Sequence, residues 1–322
     1  MLIPIYTLFY ENKDITKDVS PYVLSVEYTD FEHGSSDELQ LILEDSENIW
    51  QTSWLPVKGD SVRLHLGYKN EKLLNCGKFE IDEIEYESPP DIIIVKSLST
   101  GIKDSFRELN SNSIENQTLK QLALEYANKH NLILIGDIEN IKIDRITQDK
   151  ETDLKFLTRI AEQYGYIFKI AEGNLVFYKV ETLKSAKETI ILYKSDLSRI
   201  NLSEKTSKQF KAVQVSYFDP KTKKTIKTTV RNNSVKKGDT LKITSRCTNK
   251  KQAIIQANAA LNRSNEKISG SIELCGYPKL VAGLNIELKG LGHFSGKYHI
   301  TQAKHIIDRM SGYKTILEIE SV

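Results

Sequence analysis

The sequence predicts a mixed, β-rich fold: two β-barrel domains with a small α/β domain inserted between them. Three observations carry this reading. One strand pattern occurs twice, about 220 residues apart. The segment between the copies changes from alternating to helical spacing, and the chain then returns to strands.

The first copy of the repeat runs from Gly59 through Val62, Leu64 and Leu66 to Gly67, then from Gly77 through Phe79, Ile81 and Ile84 to Tyr86. The second runs from Gly283 through Ile286 and Leu288 to Gly290, then from Gly296 through Tyr298, Ile300 and Ala303 to His305. The offset is 224 in the first half-motif and 219 in the second, so only the connecting loop differs in length. The glycines that open these strands, Gly59, Gly77, Gly283 and Gly296, read as strand starts and turns rather than site residues. A chain that carries one barrel twice can build a ring with twice as many units as subunits.

Residues 1–98 form the first expected barrel. Leu24, Val26 and Tyr28 alternate with Ser25 and Glu27, and Leu39, Leu41 and Leu43 repeat the pattern. Trp50 and Trp54 stand before the Gly59 strand and read as core or edge packing, with a ligand platform as the rival account. Pro89-Pro90 interrupts pairing, and Asp91–Val95 is expected to be the closing strand.

Residues 99–182 form the expected insert. Leu119, Leu122, Ala123 and Tyr126 have helical spacing, Thr118 and Gln121 suit a capping box, and His130-Asn131 supplies a stop. A second helix is expected from Asp153 to Tyr164, ended by Gly165. Tyr166–Ile170 and Leu175–Tyr178 should form a hairpin around Glu172-Gly173-Asn174.

Residues 183–322 form the second expected barrel, with one helix. Strands at Ala212–Tyr217 and Thr225–Val230 flank the turn Asp219-Pro220-Lys221-Thr222. The helix should run from about Lys250 to Arg263, capped by Asn249, with Ile254, Ala257 and Leu261 on one face. The second repeat follows and closes with Tyr313–Ile319.

Composition bounds the function classes. At 322 residues the chain can bury two or three cores, and 39% hydrophobic with 27% charged residues is ordinary for a globular protein. A net charge of +2 argues against a chain devoted to coating nucleic acid. That balance hides an asymmetry. Residues 27–91 hold 16 acidic and 5 basic side chains, and residues 204–251 hold 14 basic and 3 acidic ones. Two solvated polar surfaces would account for this, and so would head-to-tail packing of an acidic unit beside the next subunit's basic segment. Cys76, Cys247 and Cys275 have no CxxC spacing, which suits a reducing compartment without a disulfide framework. The stretch Met1–Tyr10 lacks a basic n-region and reads as a first strand, so synthesis in the cytosol without signal-peptide export is expected. No apolar run approaches the roughly 18 residues of a membrane helix.

Catalytic and binding chemistry finds little support. Of the histidines His33, His65, His130, His293, His299 and His305, the last three are six apart and would share a face of a strand. A metal site is one reading and surface or edge-strand histidine the simpler one, because no cysteine or carboxylate of ligand spacing joins them. Asp82, Glu83 and Glu85 lie on an alternating strand among many acids, and nothing marks an isolated pair such as a glycosidase needs. No GxSxG, HExxH, P-loop or Rossmann fingerprint occurs, and Gly290-Leu-Gly292 lacks the third glycine and reads as a turn. Lys221, Lys223 and Lys224 beside Tyr217 and Phe218 could bind nucleic acid, with a solvated basic face as the alternative. The sequence therefore offers no catalytic, cofactor-binding or metal-binding residues.

Several stretches resemble the late control protein D family, the central baseplate hub of contractile-tailed phages, related to the hub region of type VI secretion spike proteins. They are Tyr28–Asp30 with Gly34–Asp45; Gly77–Ile84 with Ser88–Asp91; Asp153–Tyr166 with Gly173–Phe177; and Gly276–Pro278, Ala282-Gly283, Gly296–Tyr298 and His305. They keep their order over nearly the whole chain. The resemblance implies tail-tube-like barrels and a homotrimer presenting six of them in a pseudo-sixfold ring. It implies a symmetry adapter between a hexameric tail tube and a trimeric spike, beside other baseplate proteins. The chain would reside in the virion tail baseplate, assembled in the host bacterial cytoplasm. DNA would pass through the lumen without stable binding. The expected protein is structural, needs no cofactor and is not an enzyme; the rival is a phage-encoded cell-wall hydrolase with carbohydrate-binding barrels.

Overall fold

The computed structural model describes residues 2–99, 108–205, 209–219, 222–233, 235, 238–247, 249–264 and 268–322. Met1, and Pro220 and Lys221 of the expected 219–222 turn, lie outside the described residues. The β-rich fold class read from the sequence stands, with large antiparallel sheets.

The chain begins with β1 (Pro4–Tyr10), β2 (Lys13–Asp14), the one-turn helix α1 (Thr16–Val19), β3 (Val23–Phe31), β4 (Glu38–Glu44), β5 (Ser61–Tyr68), β6 (Leu74–Glu87) and β7 (Ile92–Ser99). Six of these strands lie in the order β3-β4-β7-β6-β5-β1, antiparallel at every step. Alternation turns Val26, Leu39, Leu41, Val62, Leu64, Phe79 and Val95 onto one core. β7 is the last strand of this unit along the chain, as expected, and lies inside the sheet between β4 and β6. Ile93 and Val95 point to the core while Ile94 is buried on the other side, the run of apolar residues a strand flanked on both edges carries.

The middle segment comprises β8 (Leu109–Thr118), α2 (Leu119–Lys129), β9 (Ile133–Ile135), β10 (Lys142–Thr152), α3 (Asp153–Tyr164), β11 (Tyr166–Ala171), β12 (Asn174–Lys179) and the short α4 (Val180–Ser185). β8 pairs β10, and β11-β12-β9 make a second small sheet. Thr118 and Gln121 form the expected capping box on α2. Gly165 ends α3 in the left-handed region, with φ at 78°. Phe156, Leu157 and Ile160 of α3 pack with Leu122 and Tyr126 of α2 and Phe168 and Phe177 of the hairpin.

The remaining elements are β13 (Ile190–Tyr193), β14 (Leu197–Glu204), β15 (Phe210–Asp219), β16 (Lys224–Arg231), β17 (Asp239–Thr244), α5 (Lys250–Arg263), β18 (Ile268–Cys275), β19 (Asn285–Lys289), β20 (Gly296–Asp308) and β21 (Gly312–Ser321). β16-β15-β17 form a sheet of their own, covered by α5 through Ala253, Ala257 and Leu261. Ala253, rather than the expected Ile254, completes that buried stripe. The opposite side of α5 reaches the middle segment: Ala259 lies against Gly165, and Ile255 packs on the α2–α3 core. The other six strands follow the order β14-β18-β21-β20-β19-β13 around a third core.

Candidate functional site

The six-strand order of the first unit recurs in the second, strand for strand, and the hydrogen-bond registers coincide. Val62 faces Phe79 across β5 and β6, and Ile286 faces Tyr298 across β19 and β20. All four of these side chains are buried. The backbone amide of Gly59 donates to the Ile81 carbonyl at 2.8 Å, and that of Gly283 donates to the Ile300 carbonyl at 2.8 Å. Moving outward, Ile84 faces Val95 as Ala303 faces Leu317, Leu41 faces Val95 as Ile272 faces Leu317, and Val26 faces Leu41 as Ile200 faces Ile272. Two bulges recur as well. The β6–β7 register shifts between Ile81 and Glu83, and that of β20–β21 between Ile300 and Gln302. β3–β4 shifts between Val23 and Ser25, and β14–β18 between Leu197 and Arg199. Two steps differ: β5–β6 carries a further register shift, between Leu64 and His65, that β19–β20 lacks, and β1 meets β5 antiparallel whereas β13 meets β19 in parallel. A bulge re-aims every side chain beyond it, so shared bulges mark one unit built twice.

The two units are joined edge to edge. The second half of β20 pairs with β3 from Gln302↔Phe31 to Asp308↔Ser25 and makes both units one 13-stranded sheet. Across this seam Lys304 pairs with Glu27 at 2.6 Å. His305 stacks on Tyr28; its Nε2 donates to the Leu280 carbonyl at 2.9 Å and its Nδ1 accepts from the Tyr313 hydroxyl at 2.8 Å. A carbonyl can only accept, so these partners fix the neutral tautomer. Burial pushes the imidazole pKa down to about 4, against the opposing pull of the Leu280 carbonyl and Asp30.

Three parts of the chain meet at Lys169 of β11. Its ammonium donates to Asp30 of β3 and lies 2.8 Å from Asp37 in the β3–β4 connection. The other oxygen of Asp30 accepts from the Ala282 amide of the second unit at 2.9 Å. Burial raises the Asp37 carboxyl to about 7; Lys169 offsets part of that and Asp30 adds to it. Nearby, the Phe168 amide donates to His33 Nδ1 at 2.8 Å. His299 lies between Glu32, at 2.6 Å, and Asn285, at 2.7 Å, and so ties the first unit to the second.

The histidine expectations are thereby corrected. His299 and His305 are buried, not surface residues, because each has polar partners on both ring nitrogens. They do not share a strand face either: the extra residue of the bulge, Thr301, puts them on opposite faces. His293 is exposed in a single 3₁₀ turn, paired with Glu204. His130 is buried against Asp153 at 2.8 Å, and Gln148 and Lys129 also hold that carboxylate. Burial raises the Asp153 carboxyl, but these hydrogen bonds outweigh it and leave the pKa below the usual value. The set ties the end of α2 to the start of α3. Among the described residues no three His, Cys, Asp or Glu side chains come together as a metal site needs.

Other residues singled out by sequence separate in space. Glu83 is half-exposed and Glu85 partly buried, and they share Lys96, at 3.2 and 2.6 Å. Trp50 is buried and Trp54 is 43% exposed; the rings meet edge to face at 5.4 Å. With Leu41, Leu43 and Val62 they line an apolar pocket of about 440 Å³ at one end of the first core. Tyr217 points into the α5 core and Phe218 points out, so only Phe218 stands with Lys223 and Lys224 on the surface. A second pocket of about 440 Å³ between α3 and α5 is lined by Arg145, Arg159, Arg246 and Arg263. Arg159 donates to Glu151 and Arg263 lies 3.5 Å from Glu162, so much of that charge is matched. Among the described residues no helix is long and apolar enough to cross a membrane. The surfaces with most structural consequence are thus the strand edges of the duplicated units, which sequence periodicity does not display.

A family model described as the Alg8 N-terminal domain matches residues 53–309. The chain is 31% identical over 180 residues to a probable baseplate hub protein of Escherichia phage P2, covering 55% of this chain and 46% of the relative. It spans about half the length of the curated relatives it matches. The fold is shared with the tail protein from Neisseria meningitidis MC58, with a TM-score of 0.76 at 12% identity over 99% of this chain and 97% of that one. It is shared too with the 43 kDa tail protein of prophage MuSo2 from Shewanella oneidensis, with a TM-score of 0.74 at 15% identity over 99% and 98%. The resemblance to baseplate hub proteins read from the sequence stands.

Proposed function

Since the chain belongs to the Alg8 N-terminal domain family and is similar to phage baseplate hub proteins, we propose that it is a structural hub of a contractile phage tail or related injector. Three copies assemble as a ring of six similar units, one face meeting a hexameric tail tube and the other a trimeric spike. It acts in the virion baseplate after assembly in the host cytoplasm and carries out no catalysis.

The observation that supports this most is the duplication at the level of register. A trimer with one unit per chain presents threefold symmetry only. A chain that repeats six strands and two bulges presents nearly the same surface twice, which a sixfold partner can engage. The acidic first unit and the basic 204–251 segment favour head-to-tail neighbours.

The rival reading, a cell-wall hydrolase, needs a cleft flanked by two carboxylates in different environments. Glu83 and Glu85 instead share one lysine on an open strand. Zymography on peptidoglycan separates the two readings: the hub leaves the gel uncleared, and a cleared band would reinstate the hydrolase.

A further inference from the structure

We propose that the outer edge of β6 in one copy pairs with the outer edge of β14 in a second copy, Glu83–Glu87 running antiparallel to Asn201–Lys205. This rests on the ring-forming reading above and supplies the contact that would close the ring.

Completing the pattern the chain already shows gives this pairing. β20 uses its two halves differently. Its first residues pair β19, and Gln302–Asp308 turn away to pair β3. Its counterpart β6 pairs β5 through Leu74–Glu80. Beyond the bulge, Glu83–Glu87 pair β7 on one side, and among the described residues no strand occupies the other. The counterpart of β3 is β14. It pairs β18 and ends the sheet, with no strand on its other edge among the described residues. The first unit thus has the donating arm without its acceptor, and the second unit has the acceptor without its arm. One chain cannot satisfy both, whereas a second copy supplies each missing half head to tail. Unpaired edges of this length otherwise invite indiscriminate pairing.

The register follows residue by residue from the internal seam. Ala303 answers to Ile84 and Val26 to Ile200, as the shared pairings fix. Gln302↔Phe31 then becomes Glu83↔Lys205, His305↔Tyr28 becomes Tyr86↔Leu202, and Ile306↔Glu27 becomes Glu87↔Asn201. Between them Glu85 meets Ser203. This sets the carboxylate of Glu83 opposite the ammonium of Lys205, where opposite charges favour pairing. It covers Tyr86, which is 51% exposed in the single chain, with a leucine, as Tyr28 covers His305 within it. A slip of one residue would turn Tyr86 away from Leu202.

The test uses the full chain carrying Glu85→Cys with Ser203→Cys, oxidised mildly at several concentrations and read by non-reducing gel and native mass spectrometry. Glu85→Cys with Asn201→Cys is the out-of-register control, the single-cysteine variants report on the native cysteines, and thermal melts check folding. We expect reducible multimers ending at three chains, about tenfold more abundant than in the control because disulfides tolerate little misplacement. Copies that associate without an in-register disulfide would overturn this edge pairing and leave the ring-forming hub standing. A folded chain that stays single at every concentration, with and without neighbouring tail proteins, would overturn both.

Discussion

Tyr28 and His305 face each other across the strand pair that joins the two units, their rings stacked at 6.1 Å with 15° between planes. This contact is where the duplicated halves become one sheet. It also places a neutral imidazole at the seam, near the Asp30–Asp37–Lys169 cluster.

His305 makes stability depend on pH. Its folded pKa of about 4 lies below the ordinary histidine value of 6.5. Stability from this group is therefore present above pH 6.5 and lost as pH falls toward 4, where the unfolded chain binds a proton that the folded one refuses. The urea midpoint of His305→Gln minus that of the wild type should fall as pH rises from 4 to 6.5. A difference that is flat with pH would remove His305 from the account.

Asp37 works in the opposite sense. Its folded pKa, raised to about 7, means the folded chain holds a proton that the unfolded one releases above 3.8. Its contribution is complete below 3.8 and is lost as pH rises to 7. Asp37→Asn minus wild type should therefore gain stability with rising pH over that window. In the wild type these two contributions oppose each other between about pH 4 and 6.5. Parallel profiles for Asp37→Asn and wild type would contradict the assignment.

Lys169 neutralises two buried carboxylates, Asp30 and Asp37. Lys169→Met leaves them together without a cation and should cost about 3–5 kcal/mol at pH 7. The loss should shrink at pH 4, where Asp37 holds its proton. An equal loss at both pH values would indicate packing rather than charge.

The repeat makes Phe79 and Tyr298 equivalent. Both are buried, and each faces its partner across equivalent strands. Phe79→Ala and Tyr298→Ala should each cost about 3–5 kcal/mol. Calorimetry checks this, and a variant that melts within a degree or two of the parent would contradict the core placement.

Much of the fold was legible because its signals are local. The Thr118 cap, the Gly165 stop and the Glu172-Gly173 turn each depend on a few neighbouring residues. The repeat was legible only at β5–β6 and β19–β20, where glycine spacing and aromatic positions survive in both copies. The other equivalent strands keep the alternation and lose identity. β14, with Arg199, Asn201, Ser203 and Glu204, carries too weak an apolar face to announce a strand. The β20–β3 seam joins residues nearly a whole chain apart, and no local pattern encodes it. The histidine faces were misread because a single bulge residue, Thr301, reverses the parity that spacing assumes.

Native mass spectrometry of the chain, alone and mixed with a trimeric spike protein from the same source, decides whether it assembles as a hub. The hub account predicts a complex of three chains with three spike subunits. A chain that stays monomeric with the spike and with every neighbouring tail protein would contradict it.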